Sequence, residues 1–460
     1  MERIGFLITG NEILQGKTRD TNSVFMAKSL RSRGVEPNLI IFCGDSLDDI
    51  TRSLHFLAQQ CDSIVVTGGL GPTIDDITAL AVAKLFHRDL VFLSEAWDIC
   101  VSFFRRQGRD QIPDSNRKQA TLPHDARIIP NLHGAAAGFV VHDILDGCDI
   151  RVFCLPGVPH EMEPMFDGFV LPELSETSHI RLSRTWQIFM QGESVIQQKL
   201  EPLEKEIRLR FPDCSVSYLA HHGHVAWSLS APVDSVEREK FLNFLEDRVD
   251  FALKEAFGPY VLFQSERKLA EFLVEEMSRK NLLFACAESC TGGLIAHEVT
   301  SISGASQMFQ GGAVTYSNES KADILGVDMR DIERYGAVSP QVAWAMASGA
   351  RRVFSADVAI STTGVAGPRG GTSYHPVGMV IFGLSLSLQR VSGAQTLLEK
   401  LERLGWTSIA SRDFRSTESE SIVEFFAERQ FGSALSREAI QHRSLSFALG
   451  TVIALLEDLS

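Results

Sequence analysis

The sequence predicts a multidomain α/β protein, in which two α/β domains flank a smaller α+β module. Apolar runs of strand length alternate with amphipathic helical patterns from Ile4 to Val66, and the same alternation returns after Leu282. Between these parts, a strand and a helix are followed by two consecutive strands and a second helix. A chain of 460 residues is long enough for two to four domains.

The composition is that of an ordinary globular protein, with 44% hydrophobic and 22% charged residues. The formal net charge of −14 argues against a general nucleic-acid binder, because few cations remain to neutralise a phosphate backbone. The sequence contains neither a signal-peptide pattern nor an uninterrupted apolar run of the ~20 residues that a membrane-spanning helix needs. The eight cysteines form no CxxC pair, which predicts reduced thiols. We therefore expect a cytoplasmic protein.

The first part of the chain predicts a parallel sheet with helices on both faces. Strands are expected at Ile4–Thr9, Asn38–Phe42 and Ser63–Val66. An amphipathic helix is expected over Thr21–Arg33, just before a glycine, and another after Ser46, whose side chain can cap it. Strands that alternate with helices in this way form parallel sheets.

A glycine-rich turn follows the third strand. Its glycine spacing differs from the dinucleotide-binding fingerprint, and it lacks the lysine of a P-loop. Asp75 and Asp76 are expected in the first turn of the next helix, where they either only complement the helix dipole or hold a divalent metal beside a phosphate. The residues expected to surround that phosphate are Gly68, Gly69, Gly71 and Thr73.

The middle of the chain predicts a compact α+β module. Strands are expected at Arg184–Met190, Cys214–Tyr218 and His224–Ser230, and helices over Val195–Arg208 and Val236–Phe257. The acidic second helix and the absence of a GxxG loop favour a spacer or oligomerisation role over RNA binding.

The third part is organised around Ser289, in a turn between a short strand at Leu282–Ala285 and a helix that begins at Leu294. Such a turn presents hydroxyl and free backbone N–H groups at the positive end of a helix, which suits a phosphate or an oxyanion. Tyr316 and Lys321 follow, and the three side chains suggest a nucleophile with a base other than histidine. The alternatives are that Ser289 only caps the helix, or that the neighbouring Cys290 is the nucleophile.

Further features are predicted downstream. A strand over Asp357–Ser361 leads into a second glycine-rich turn, which is expected to meet the first at the carboxyl edge of a sheet. Ser339 is expected to cap a helix, and Pro376–Phe382 to form a strand. A segment over Gln389–Glu420 contains one short amphipathic helix at Leu397–Leu404.

Four segments, AESCTGG, GGAVTYSNESK, GAVSPQVAWAMASGAR and TGVAGPRGG, resemble the C-terminal domain of the competence/damage-inducible CinA family, the nicotinamide-nucleotide amidases. The resemblance implies hydrolysis of the carboxamide of nicotinamide mononucleotide to nicotinate mononucleotide and ammonia, without a metal. It makes Ser289 the nucleophile and Lys321 the base, assisted by Tyr316 and Thr363. Expected substrate contacts are Thr291, Gly292, Ser306, Gly364 and Arg437. The family pattern lacks the segment over 389–420, so that the alignment of Arg437 depends on its position at the start of the last helix.

Residues 1–175 resemble the molybdopterin-binding fold, through Gly10-Asn11-Glu12, Asp20-Thr21-Asn22, Asn116–Gln119 and Leu155–Pro159. The CinA version of this domain implies an ADP-ribose pyrophosphatase that depends on a divalent metal (Mg, Mn or Co). Such a metal spreads the phosphate charge and activates water. The candidate metal ligands are Glu12, Asp20, Asp45, Asp75 and Asp76, and the candidate phosphate contacts are Arg117 and Lys118. Many members have an acid in place of Asn11, which leaves Glu12 as the carboxylate of that turn.

The resemblance divides the chain into residues 1–171, a KH-type linking module over 172–262, and the amidase domain over 263–460. Small nucleotides are the expected ligands, nicotinamide mononucleotide and ADP-ribose, and a homodimer is expected. Two alternatives stay open. The protein either only binds a pterin or nucleotide, as an interaction module in DNA uptake, or has a single active half.

Overall fold

The computed structural model describes residues 2–109, 111–175, 181–232, 235–264, 267–409 and 422–459. The chain forms two compact units. The first comprises Met1–Leu182 with Ala231–Glu239, and the second comprises Ser183–Ser230 with Lys240–Ser460. The three-part division of the chain stays a prediction.

The first unit contains a six-stranded sheet in the order β2-β1-β3-β8-β7-β6 and a separate β4-β5 pair. The first four of the six strands are parallel, and β7 and β6 are antiparallel to their neighbours. The strands are β1 (Ile4–Thr9), β2 (Leu39–Cys43), β3 (Ser63–Thr67), β4 (Leu90–Phe92), β5 (Thr121–Pro123), β6 (Arg127–Ile129), β7 (Gly138–Leu145) and β8 (Cys148–Leu155). The helices are α1 (Asn11–Leu14), α2 (Asn22–Ser32), α3 (Leu47–Gln60), α4 (Thr78–Leu85), α5 (Ser94–Arg106), α6 (Pro159–Met165) and α7 (Leu171–Ser175).

Helices cover both faces of this sheet, as predicted. Side chains alternate along β1, so that Leu7 packs in one buried core and Phe6 and Ile8 pack in the other. Ser46 caps α3 as expected, accepting a hydrogen bond from the N–H of Asp49.

The prediction that Asp75 and Asp76 lie in the first turn of a helix is wrong, because α4 begins only at Thr78. The carboxylate of Asp76 instead accepts hydrogen bonds from the N–H of Thr73 at 2.8 Å and from its hydroxyl at 2.6 Å. These bonds close a tight turn before the helix, which delays its start.

The second unit begins with a four-stranded sheet in the order β10-β11-β9-β12, with helices packed against it. All the strands and helices expected in the middle module are present, and β12 is an addition that the sequence analysis missed. The KH-type assignment stays a prediction. The elements are β9 (Arg181–Phe189), α8 (Glu193–Arg210), β10 (Ser215–His221), β11 (His224–Pro232), α9 (Ser235–Phe244), α10 (Asp250–Phe257) and β12 (Val261–Gln264). Residues 181–182, 231–232 and 235–239 of these elements are counted with the first unit.

A six-stranded sheet in the order β14-β13-β15-β16-β18-β17 forms the rest of the second unit. The first three of these strands are parallel and the others antiparallel. The strands are β13 (Phe284–Glu288), β14 (Phe309–Val314), β15 (Val358–Gly364), β16 (Met379–Ser387), β17 (Thr407–Ser408) and β18 (Ile422–Gln430). The helices are α11 (Leu269–Arg279), α12 (Leu294–Thr300), α13 (Asn318–Leu325), α14 (Met329–Tyr335), α15 (Pro340–Val353), α16 (Ala394–Arg403) and α17 (Arg437–Leu455).

The two glycine-rich turns of this sheet meet at one edge, as expected. Glu288 at the end of β13 pairs with Thr362 in β15, so that the turns after both strands lie at the same edge of the sheet. Helix α16 confirms the short helix expected within 389–420, while residues 410–421 lie outside the described part of the chain.

The helical run Arg437–Asp458 is long and apolar enough to cross a membrane by length and composition alone. Its most apolar window is 83% buried inside the protein, as is typical of a core helix. All eight cysteines are free.

Candidate active site

A serine and a lysine lie together at the carboxyl edge of the C-terminal sheet. Ser289 directly follows β13, and its N–H donates to the carbonyl of Thr362 at 3.0 Å. The Nζ of Lys321 lies 3.4 Å from the Oγ of Ser289. The fold therefore brings the predicted nucleophile and base within reach of proton transfer.

The surroundings of Lys321 affect its basicity as well as its position. Only 1% of the residue is exposed, and this burial lowers the pKa of its amine. The Nζ also lies 2.8 Å from the carbonyl oxygen of Thr315 and 3.4 Å from that of Ser317, which caps α13. A neutral amine can donate to both carbonyls and still offer its lone pair to the Ser289 hydroxyl.

Glu288, which the sequence analysis did not single out, is fully buried beside the serine. Its carboxylate accepts the N–H groups of Gly293 at 3.0 Å, Ile295 at 3.1 Å and Ala296 at 2.9 Å. The positive end of α12 is thus occupied by a side chain of the protein, and these three N–H groups are not free for a substrate anion.

We expect Glu288→Gln to lower the free energy of unfolding by roughly 1–3 kcal/mol, because an amide turns a donor towards N–H groups that a carboxylate had accepted. Chemical denaturation would measure the loss. Glu298→Gln, on helix α12, is the matched control and should stay within about 0.5 kcal/mol of wild type. Equal stability of the two variants would contradict the assigned role of Glu288.

Two backbone N–H groups are available for an oxyanion. The N–H of Gly292 donates to the carbonyl of Ser289 at 3.2 Å and closes the turn. By contrast, the N–H group of Thr291 donates to no group in the described ranges, and that of Cys290 to none beyond its own side chain. The buried Thr291 hydroxyl lies 2.7 Å from the hydroxyl of Thr362 in β15, and this hydrogen bond holds the turn in place. The amides that follow the serine are therefore the candidate oxyanion donors of this turn.

Cys290 does not compete with Ser289 as nucleophile. Its side chain packs in the main hydrophobic core of this unit, and burial raises the pKa of the thiol to about 12. A thiol in these surroundings stays protonated and unreactive near neutral pH.

Arg437 reaches the same edge from the first turn of α17. Its guanidinium lies 3.2 Å from the hydroxyl of Tyr316 and donates to the carbonyl of Gly367, in the second glycine turn, at 3.0 Å. One turn further along α17, Gln441 donates to the carbonyl of Cys290 at 2.9 Å. Tyr316 is 65% exposed, so that the tyrosine and the arginine form the open side of the site.

The remaining predicted residues of this half are placed differently. The hydroxyl of Thr363 is buried and donates to the carbonyl of Ala337 at 2.8 Å, while Gly364 pairs with β16. Ser306 is exposed in a short turn before β14, beyond the amino end of the strand, whereas Ser289 follows the carboxyl end of β13. The structure therefore does not bring Ser306 to Ser289.

The first unit contains a cavity of about 580 Å³ at the carboxyl edge of its parallel strands. It is lined by the glycine turn and by the carboxylates of Glu12, Asp45, Asp75 and Asp76, and by no lysine or arginine among the described residues. The N–H groups of residues 69–71 donate no hydrogen bond within the described part of the chain. Free amides of this kind suit phosphate oxygens.

Three other predicted residues do not line this cavity. Asp20 accepts a hydrogen bond from the N–H of Ser23 at 3.1 Å and so caps α2. The guanidinium of Arg117 stacks on Phe92, 4.8 Å from the ring centroid. The Nζ of Lys118 contacts the carbonyl of Ile74 at 3.3 Å, outside the lining of the cavity.

The carboxylates of the cavity could hold a metal ion only if a bound substrate supplied further ligands to the same ion. No group of three or more His, Cys, Asp or Glu side chains among the described residues is arranged to hold a metal ion. The carboxylates of Glu12 and Asp75 line the cavity, and they accept no hydrogen bond from another described side chain. Magnesium is commonly held by one or two carboxylates, together with substrate phosphates and water.

Comparisons with known proteins agree with this architecture. The family profile "CinA C-terminal domain" matches residues 266–404, and "Probable molybdopterin binding domain" matches residues 5–176. A "Putative competence-damage inducible protein" of Caldicellulosiruptor saccharolyticus is 36% identical over 82% of this chain and 90% of its own length. The chain belongs to the CinA family. A "CinA-like protein" of Geotalea daltonii is likewise 36% identical, over 83% of this chain and 90% of its own length.

Solved CinA structures are similar to parts of the chain. The CinA protein with unknown function from Thermoplasma acidophilum is 31% identical, with a TM-score of 0.33, and the alignment covers 37% of this chain and 96% of that one. A competence/damage-inducible protein from Agrobacterium tumefaciens is 32% identical, with a TM-score of 0.32, over 41% of this chain and 93% of that one.

Four polar residues of this CinA-family chain were missed in the sequence analysis. Glu288 and Gln441 hold the serine turn, and Glu161 and Asn22 line the N-terminal cavity. Asn22 is buried and donates to the carbonyl of Gly157 at 2.8 Å, while its side-chain oxygen has no hydrogen-bond partner among the described residues. Glu288, a charged residue at the end of an apolar strand, and Asn22, within the Asp20-Thr21-Asn22 motif, carried sequence signals that could have been used.

Proposed function

We propose that the C-terminal domain hydrolyses the carboxamide of nicotinamide mononucleotide to nicotinate mononucleotide and ammonia. The observation that carries the proposal is the buried lysine amine 3.4 Å from the Ser289 hydroxyl. A lysine whose pKa is lowered by burial is suited to act as a general base.

In the first step, Lys321 takes the hydroxyl proton as Ser289 Oγ attacks the carboxamide carbon. The N–H groups of Cys290 and Thr291 stabilise the oxyanion of the tetrahedral intermediate. Lys321 then returns the proton to the nitrogen, the C–N bond breaks, and ammonia leaves an acyl-serine.

In the second step, Lys321 takes a proton from water as the water oxygen attacks the acyl carbon. Collapse of this intermediate releases the carboxylate product, and the proton returns to Ser289 Oγ. Arg437, on the open side of the site with Tyr316, is the cation best placed to bind the ligand's phosphate.

The test is ammonia release from nicotinamide mononucleotide by the purified full chain, with free nicotinamide as the comparison substrate. We expect release from the nucleotide, and much slower release from nicotinamide, which lacks the phosphate for Arg437. A rapid quench with mass analysis should reveal the acyl-serine. Absence of ammonia from both substrates would refute the proposed activity.

For the N-terminal domain we propose cleavage of the diphosphate of ADP-ribose with a divalent cation. The supporting observation is an acidic cavity with free backbone amides, because a diphosphate among carboxylates needs a cation to offset the repulsion. Glu12 and Asp75 would hold that cation, which would supply charge neutralisation. The competing role, binding without cleavage, predicts intact ADP-ribose after incubation with Mg²⁺, Mn²⁺ or Co²⁺.

We expect Glu12→Gln together with Asp75→Asn to reduce ADP-ribose cleavage at least about tenfold, since both proposed cation ligands lose their charge. Chromatography of the products, with and without a chelator, measures the effect. Asp20→Asn is the matched control, because Asp20 caps α2 outside the cavity. A double variant as active as the control would exclude these two ligands.

A further inference from the structure

A second cavity lies within the second unit, between the end of the middle module and three helices of the C-terminal domain. Its volume is about 690 Å³, within the range of small-molecule sites. The turn between α10 and β12 forms one wall, and α11, α16 and the end of α17 form the others. We refer to it as the junction cavity.

The lining of the junction cavity is cationic. Five Lys or Arg side chains and three Glu side chains line it, in a protein whose formal net charge is −14. Two of the cations are paired internally, Arg279 with Glu276 at 2.7 Å and Lys400 with Glu457 at 3.2 Å. The positive charge is therefore concentrated on the other three, Lys254, Lys280 and Arg403.

None of these three cations forms an ion pair with a carboxylate of the described residues, and the third glutamate of the lining, Glu399, accepts a hydrogen bond from Gln395 at 2.8 Å. Lys280 donates to the carbonyl of Leu459 at 2.8 Å, while Lys254 and Arg403 form no ion pair within the described ranges. Arg403 has a defined position, since its backbone carbonyl accepts the Tyr260 hydroxyl at 2.9 Å and its guanidinium lies against Gly258. A side chain at Gly258 would meet that guanidinium at 2.5 Å.

Apolar side chains complete the lining. Leu262 and Phe272 are half-buried, and Ile453 is buried in the core below. A ligand that satisfies both kinds of surface carries anionic groups for the cations and a flat apolar ring for this wall. Phosphate groups attached to an aromatic base have this combination.

We propose that the junction cavity binds a phosphorylated nucleoside, with its phosphates at Lys254 and Arg403 and its base against Phe272 and Leu262. This site is separate from both candidate catalytic sites, and it does not depend on either proposed activity.

Calorimetric titration of the full chain with ADP, pyrophosphate and adenosine tests the proposal. We expect ADP to bind most tightly, pyrophosphate more weakly, and adenosine not detectably. In Lys254→Glu/Arg403→Glu the dissociation constant for ADP should rise at least about tenfold. Arg330→Glu/Arg334→Glu, on α14 outside the cavity, changes the net charge equally and should bind ADP as wild type does. Equal affinities of the two double variants would overturn the proposal.

A second measurement locates the bound base. Photolabelling with 8-azido-ADP followed by peptide mass analysis should modify a peptide that contains Leu262 or Phe272. If Lys254→Glu/Arg403→Glu does not fold, the milder Lys254→Gln/Arg403→Gln replaces it. This variant should not be labelled at the peptide of Leu262 or Phe272. Labelling confined to peptides outside the junction cavity would refute the site.

Discussion

Replacing Ser289 by alanine is expected to reduce ammonia release from nicotinamide mononucleotide at least about 10³-fold, because the proposed acyl intermediate forms on the Ser289 hydroxyl. The side chain is partly exposed, and among the described residues its hydroxyl has one hydrogen-bonding neighbour, the Lys321 amine at 3.4 Å. The fold should therefore be retained, and the thermal unfolding midpoint should change little. Initial rates and the unfolding midpoint, measured on the same preparation, separate lost chemistry from lost structure.

Cys290→Ala is the informative partner of this variant. The Cys290 thiol is buried, with a pKa raised to about 12, so that its removal should leave most of the activity. If Cys290→Ala abolished ammonia release while Ser289→Ala did not, Cys290 and not Ser289 would be the nucleophile.

The strands and helices around the site could be predicted because local patterns determine them. The structure confirms a strand before Ser289, at Phe284–Glu288 instead of Leu282–Ala285, the capping serine at Ser339, and the start of α12 at Leu294. The convergence of the two glycine turns also followed from a general property of parallel sheets.

Residues whose roles depend on distant partners could not be predicted in the same way. Gln441 reaches Cys290 across 151 residues, and nothing in its neighbourhood in the sequence marks it. Ser306 and Arg117 look like site residues in the sequence, but Ser306 lies at the opposite end of the strands and Arg117 stacks on Phe92. Composition and spacing identify the type of a side chain, whereas the fold decides what it touches.

Glu288 satisfies the N–H groups that follow the serine turn without a bound anion. Helix termini of this kind often attract substrate phosphates, but here an internal carboxylate takes three of the N–H groups. A negative charge beside the nucleophile also disfavours an anion at the start of α12, which leaves Arg437 on the open side for the phosphate.

Replacing Lys321 by methionine is the second prediction with a large expected effect, a loss of roughly 10²–10⁴-fold in kcat/KM from the missing base. Lys321→Arg should be equally impaired, because a guanidinium keeps its proton at every accessible pH. A side chain with a merely structural role would be replaced better by arginine than by methionine, so that the pair of variants distinguishes the two roles.

The pH profile supplies an independent test of the same base. Burial lowers the pKa of Lys321, so that kcat/KM should rise with pH through a limb below the usual lysine value of about 10.4. The stability should follow the same direction: between the lowered folded pKa and the unfolded pKa, the unfolded chain binds more protons, and the folded state gains stability as pH rises. As pH rises through that window, the free energy of unfolding of the wild type should therefore increase relative to that of Lys321→Met. A pH-independent rate in the wild type would show that Lys321 is not the base.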